Sequence, residues 1–249
     1  MDESTRMPNP PWIKNAGRAP RRQLSLELIL EAAERLSERE GWDSVTMRRI
    51  AQEIGTGPAS LYAHVDSKAD LDQLLYDRAL EAVPLPEPDP RRWRQQLVDL
   101  GVDMARAMAA RPGTARVALD TPIPATPRAL QIIDRVFAVL AAGEVPPDLA
   151  VAWADVYALQ VTAAAYELSP TGPPGAESER LRVQSARIGE YLAVLPESAL
   201  PHLRAVLPRF GPDADPFAPL RSALEMLVAG MAARMEARPD RERTGRRVR

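Results

Sequence analysis

An all-α fold follows from three features of the sequence. The 25 prolines fall in groups, at 8–11 and 20, 84–90, 112–127, 146–147, 170–174, 196–219 and 239, with Pro58 standing apart. Between the groups lie segments of about 16–23 residues whose apolar positions recur at three- and four-residue spacing, the period of a helix with one buried face. The β-branched alternation expected of strands is nearly absent. Proline interrupts a helix interior but is accepted in its first turn or beyond its end. The groups therefore mark joints, and the spacing predicts helices near 25–40, 47–54, 58–64, 67–83, 91–110, 113–119, 127–142, 147–168, 176–195 and 216–237, with a short one near 198–207.

Helix one starts after Ser25, a favourable N-cap, with Leu24 and Ile29 placed for a hydrophobic staple. Leu28, Ala32 and Leu36, flanked by Ile29 and Ala33, form its apolar face, and Gly41 ends it. Thr46 caps a second helix that turns Ile50 and Ile54 inward. Gly55 stops that helix, Thr56-Gly57 make a turn, and Pro58 opens a third helix. Two short helices joined by a tight glycine turn form a helix-turn-helix over about 46–65. Ala51 falls where the two helices cross, a place with no room for a larger side chain.

In the third helix Leu61 and Val65 are four apart and share the core face, while Ala59 and Ala63 lie about 200° away from Leu61. Small residues there let a backbone sink into a major groove, where their methyls can meet thymine methyls and Ser60 can bond either base type. Tyr62 and His64 are placed for phosphate oxygens. Arg48 and Arg49 in the first turn of helix two, and Lys68 just after the Ser67 cap of helix four, oppose the helix dipoles. A phosphate backbone nearby would reverse that penalty.

The alternating run Pro84-Leu85-Pro86-Glu87-Pro88-Asp89-Pro90 reads as a stiff linker between residues 23–83 and a larger helical domain, 91–237. From Ser4 to Leu26 there are five cations (Arg6, Lys14, Arg18, Arg21, Arg22) and no acid, so residues 1–22 read as a disordered basic arm. Residues 238–249 read as a disordered basic tail. In the larger domain, 147–168 is apolar almost all round, which predicts burial on several sides. Asp155, Gln160 and Thr162 are polar groups inside it that need partners. An apolar pocket with a few orienting polar groups is the usual form of a ligand site. Trp153, Asp155, Tyr157, Gln160 and Tyr166, with Met104, Met108 and Phe137, are the candidate lining. The last helix carries two apolar strips, one of Phe217, Leu220, Leu224, Leu227 and Met231, the other of Ala223, Met226, Gly230 and Ala233. One strip for its own domain and one for a two-fold partner, with help from 147–168, predicts a homodimer.

Composition limits the alternatives. The 249 residues are 45% hydrophobic and 27% charged with a net charge of -2, an ordinary soluble globular balance. Zero cysteine excludes disulfides, thiolate metal sites and a cysteine nucleophile, and only two histidines, His64 and His202, argue against a histidine-built metal centre. No metal or cofactor is expected. No charge-free run exceeds about a dozen residues, and the N-terminus lacks the apolar core of a signal peptide. The expectation is a cytoplasmic protein with no membrane partner. Gly-x-Ser-x-Gly, a phosphate-cradling glycine loop and His-Glu-x-x-His are all absent, which argues against an enzyme.

The stretch Thr46-Met47-Arg48-Arg49-Ile50-Ala51-Gln52-Glu53-Ile54-Gly55, followed by Ser60-Leu61-Tyr62-Ala63-His64-Val65 and Lys68-Ala69-Asp70-Leu71, resembles the DNA-binding domain of tetracycline-repressor-type (TetR) transcriptional regulators. The resemblance covers roughly residues 23–83. It implies a homodimer that binds a palindromic double-stranded DNA operator and is released by a small-molecule effector, most often as a repressor. Carried over by position, Arg48, Ser60, Tyr62, His64 and Lys68 would contact DNA, with Pro58, Ala59 and Ala63 at the base-reading surface. Many relatives carry a bulky aromatic where Ala63 stands. In the larger domain only Arg111-Pro112-Gly113-Thr114-Ala115-Arg116-Val117 resembles the tetracycline-responsive branch, and Ala110 stands where that branch has a magnesium-liganding histidine. A helical protein-interaction module without DNA binding, and less readily an enzyme, remain as alternatives from the residues alone.

Overall fold

The computed structural model describes residues 24–121, 124–169, 176–207 and 215–237. The basic arm, the basic tail and the proline groups at 170–174 and 208–212 lie outside the described residues. Those described form helices joined by turns, with no strand. The N-terminal module is α1 (Leu26–Glu40), a 3-10 turn (Trp42–Ser44), α2 (Met47–Glu53), α3 (Pro58–Leu61) and α4 (Lys68–Leu80). The larger part is α5 (Trp93–Ala109), α6 (Thr114–Asp120), α7 (Pro127–Ala142), α8 (Pro147–Leu168), α9 (Ala176–Val194), α10 (Pro201–Val206) and α11 (Ala218–Glu236).

Local chemistry sets the helix ends. The side chains of Ser25, Thr46 and Ser67 accept hydrogen bonds from the amides of Leu28, Arg49 and Asp70 at 3.2, 3.2 and 3.1 Å. Pro58, Pro127, Pro147, Pro201 and Pro219 occupy first-turn positions, where a missing N–H costs nothing. Gly41 ends α1 at φ 85°, a conformation that suits glycine.

Two cores result. Ile29, Leu36, Ile50, Ala51, Leu61 and Leu71 are buried in the first; Leu97, Leu100, Met108, Ile132, Tyr157 and Leu224 in the second. α4 belongs to both, through Leu71 and Leu75 on one side and Tyr76 and Leu80 on the other. Asp77 of α4 caps α7, accepting from the amides of Arg128 and Ala129 at 2.9 and 3.1 Å, and Arg128 reaches back to the carbonyls of Leu80 and Val83. The segment 84–90 is strapped down: Gln96 donates to the Glu87 carbonyl at 2.6 Å and accepts from the Asp89 amide, and Arg135 donates to the Pro86 carbonyl at 2.9 Å.

In the second core α5 packs against α8, α11, α7 and α6. Trp153 and Tyr157 of α8 stack at 4.7 Å between ring centroids. The Trp153 indole donates to the Leu227 carbonyl, and the Tyr157 hydroxyl donates to the Leu97 carbonyl at 2.8 Å. Burial, reinforced by Asp103, pushes the Tyr157 hydroxyl well above the usual phenol range, so it stays a donor.

α8 departs from expectation. It buries one side (Ala150, Trp153, Tyr157, Val161, Ala165), while Val151 and Leu159 are 63% and 59% exposed, with Val156 and Tyr166 also outward. An all-round apolar pattern marked a helix that needs covering without saying that this chain alone covers it. By length and composition α8 is apolar enough to cross a membrane; Asp155 interrupts its exposed side. In α11, Leu220, Leu224 and Met231 are buried, joined by Val228, whereas Met226, Gly230 and Ala233 stand exposed.

Gly101 marks the tightest crossing. A Cβ there would lie 2.6 Å from Leu224 Cδ1 and 2.8 Å from the Tyr157 hydroxyl. Gly101→Ala is expected to destabilise the protein by about 1–3 kcal/mol through overpacking, lowering Tm by roughly 2–10 °C in a thermal melt.

Candidate nucleic-acid interface

α2 and α3 meet through Ala51, which is fully buried, and the turn between them closes with the Thr56 amide on the Ala51 carbonyl at 2.9 Å. Gly55 sits at φ 72° in that turn. Arg39 ties α1 to α2, bonding its neighbour Glu40 at 3.0 Å and Glu53 of α2 at 2.9 Å. It holds both carboxyls below the usual carboxylate range, helped at Glu40 by Arg49.

The outward face of the motif carries Arg48, Gln52, Pro58, Ala59, Ser60, Tyr62 and Ala63, all exposed, with Tyr62 at 45%. Leu61 and Val65 point into the core. The backbone at Ala59 and Ala63 is thus bare of bulk, and a tyrosine hydroxyl and a guanidinium flank it.

Two expectations change here. The third helix closes at Leu61, not at 64, and residues 62–64 form a tighter turn in which the Ala63 and His64 amides bond the carbonyls of Ser60 and Leu61. At three residues per turn, positions i and i+3 eclipse. His64 therefore lies over buried Leu61, only 6% exposed, with its Nδ1 lacking a partner among the described residues. The expected phosphate contact by His64 is withdrawn, since its ring faces the core. Of the three cations, Arg49 is neutralised by Glu40 at 2.5 Å, and Lys68 pairs with Asp72 one turn on. Burial keeps the Asp72 carboxyl above its usual range despite that ammonium. Arg48 has no ion pair among the described residues, so the uncompensated charge at the α2 N-terminus is its own.

The expected effector-site residues do not form one lining. Met108, Trp153 and Tyr157 are buried and already packed, Met104 and Gln160 are half-buried, and Asp155, Phe137 and Tyr166 face outward. The last three sit on the exposed sides of α8 and α7. Trp42 was not singled out by the sequence. Its only signal was an aromatic directly after the glycine that ends α1.

Comparison with known proteins extends the pattern over the whole chain. The family described as "Bacterial regulatory proteins, tetR family" matches residues 29–73, and "Tetracyclin repressor-like, C-terminal domain" matches 85–235. An HTH-type transcriptional regulator of Saccharopolyspora erythraea is 30% identical over 215 residues, covering 84% of this chain and 85% of that protein. The HTH-type transcriptional repressor DrrR1 of Streptomyces coeruleorubidus is 29% identical over 233 residues, covering 87% and 83%. The crystal structure of apo ActR from Streptomyces coelicolor is similar with a TM-score of 0.74 at 32% identity, covering 89% of this chain and all of that one. The same protein solved with actinorhodin gives 0.74 and 32%, covering 85% and 98%. With both of its domains matched and its exposed helix-turn-helix face in place, the chain belongs to the tetR family of bacterial regulatory proteins.

Proposed function

We propose that the protein is a ligand-responsive repressor that binds a palindromic DNA operator as a homodimer and is released by a small hydrophobic molecule. The carrying observation is the bare surface of Ala59 in α3 and Ala63 just after it, bordered by Ser60, exposed Tyr62 and Arg48, which has no ion pair among the described residues. Pro58, Ala59, Ser60 and Ala63 read base edges, while Arg48, Tyr62 and Lys68 hold phosphates. The repressor role draws support from the similarity to DrrR1, and the effector from ActR, which has been solved with actinorhodin and with (S)-DNPA. The relatives are named as regulators, and no catalytic step belongs to this function. A cytoplasmic location suits a reader of DNA.

The homodimer is supported by apolar surface that stands exposed among the described residues. Val151, Val156 and Leu159 on α8 and Met226 on α11 form the central part. Tyr191 and Val194 of α9, with Leu203 and Val206 of α10, add an exposed apolar arm held by Arg204, which donates to the carbonyls of Leu192 and Ala199. A two-fold contact lets the same surface supply both sides. The effector site lies in the larger domain, with half-buried Met104 and Gln160 at its edge and the Trp153–Tyr157 stack as the part that must open.

A duplex selected by the full chain from a random-sequence pool should be palindromic. It should bind in the nanomolar range and weaken steeply with salt, by about 0.9 log units per log unit of salt for each phosphate contact. Arg48→Ala and Tyr62→Ala should each reduce affinity about tenfold with Tm unchanged, and Arg48→Ala should lower the salt slope by about one. Failure to enrich any duplex sinks the DNA-binding reading. In light scattering the wild type should be a dimer at micromolar concentration, and Leu159→Glu a folded monomer; a wild-type monomer refutes the homodimer. Actinorhodin is the first effector probe: an effector raises Tm and releases the duplex together.

A further inference from the structure

Trp42 stands where the two cores meet. Among the described residues it alone packs, half-buried, against both of them. One neighbour is Gly113, at φ 82° in the turn that opens α6. A Cβ on Gly113 would fall 1.9 Å from Trp42 Cδ2 and 2.2 Å from Cγ, so only glycine lets that turn press against the indole. The turn is fixed to α1 by the two residues just before this contact. Ser37 donates to the Pro112 carbonyl at 3.3 Å, and Arg111 bonds Glu34 at 2.9 Å. The other neighbour is Lys68, the first residue of α4, whose ammonium lies 4.7 Å from the centre of the Trp42 ring. One ring therefore touches both the effector-bearing domain and a lysine at the edge of the DNA-facing module.

We propose that Trp42 is a positioning residue for DNA binding, its indole carrying the position of the 111–114 turn to the Lys68 ammonium. The inference rests on the assignment of Lys68 as a phosphate contact made above. Lys68 has a flexible stem and two holders, the Asp72 carboxylate one turn along α4 and the Trp42 face. Attraction between a cation and a ring falls away once the cation leaves the ring face. With the 111–114 turn pressed home the ring stays under Lys68 and keeps its charge forward at the start of α4. When the turn shifts, the ring shifts with it, and Lys68 is left to Asp72 alone.

The test measures affinity of the full chain for its selected duplex across a range of salt, for Lys68→Ala, Trp42→Leu, Trp42→Phe and the double variant Trp42→Leu/Lys68→Ala. Lys68→Ala is expected to weaken binding about tenfold and lower the salt slope by about one. Trp42→Leu should reproduce both changes, the double variant should be no weaker than Lys68→Ala, and Trp42→Phe, which keeps a ring face, should restore most of the loss. Gly113→Ala, which displaces the ring without removing it, should weaken binding with Lys68 present and not in the Lys68→Ala background. Additive losses, an unchanged slope in Trp42→Leu, or a Phe variant no better than Leu would make Trp42 a packing residue only and overturn the proposal. An unchanged affinity and slope in Lys68→Ala itself would instead refute the phosphate assignment on which the proposal stands.

Discussion

The double burial of α4 is the constraint on which the rest of the structure depends. A 13-residue helix places Leu71 and Leu75 in one core and Tyr76 and Leu80 in the other, so neither core closes without it. Its polar face is committed as well, with Asp77 holding the first amides of α7 and Arg78 bonding Glu27 and Glu34 of α1. A buried apolar helix resists small displacements because close-packed side chains cannot be shifted without opening voids. The orientation of the helix-turn-helix is therefore set by the larger domain through a rigid part, and not through the proline-rich segment that follows it.

That segment illustrates what the sequence could and could not say. Alternating prolines mark a stretch outside any helix, and they also leave a row of carbonyls with few competing N–H donors, of which Gln96 and Arg135 use two. The result is a seam sewn onto α5 and α7. Helix ends were legible for the same local reason. Ser25, Thr46 and Ser67 act on amides three residues away, and prolines act on their own turn, so no distant partner is needed to read them. The inward and outward faces of α3 at Leu61 and Ala59 were legible from spacing. His64 was not, because its side changed when the last turn tightened from 3.6 to three residues, a choice made by packing.

Charges and apolar surface were harder to read, for a common reason. Arg49 and Lys68 resemble Arg48 in sequence, but each has a carboxylate partner in space, Glu40 and Asp72. Only Asp72, four residues from Lys68, lay within reach of a helical rule; Glu40 belongs to another helix. On α8, Trp153 and Leu159 are equally apolar, and one is buried while the other is bare. Hydrophobicity reports the need for cover and not who supplies it.

The closed second core places a requirement on any effector. The Tyr157 hydroxyl is buried and bonded to the Leu97 carbonyl, and Gly101 lets its ring lie against α5 with no slack. A molecule lodged between α5 and α8 must separate those groups, and a buried hydroxyl left without a partner costs about 1–3 kcal/mol unless the ligand bonds it. An acceptor on an otherwise apolar ligand meets that need, whereas a purely apolar one does not. The separation also has a direction. α5 runs without interruption from Leu97 to Ala109 and continues through Ala110 into the 111–114 turn, which is bonded to α1 at Ser37 and Glu34. At 1.5 Å per residue the 17 residues of α5 span about 25 Å. A displacement at Tyr157, if α5 carried it, would reach the turn that Ser37 and Glu34 bond to α1.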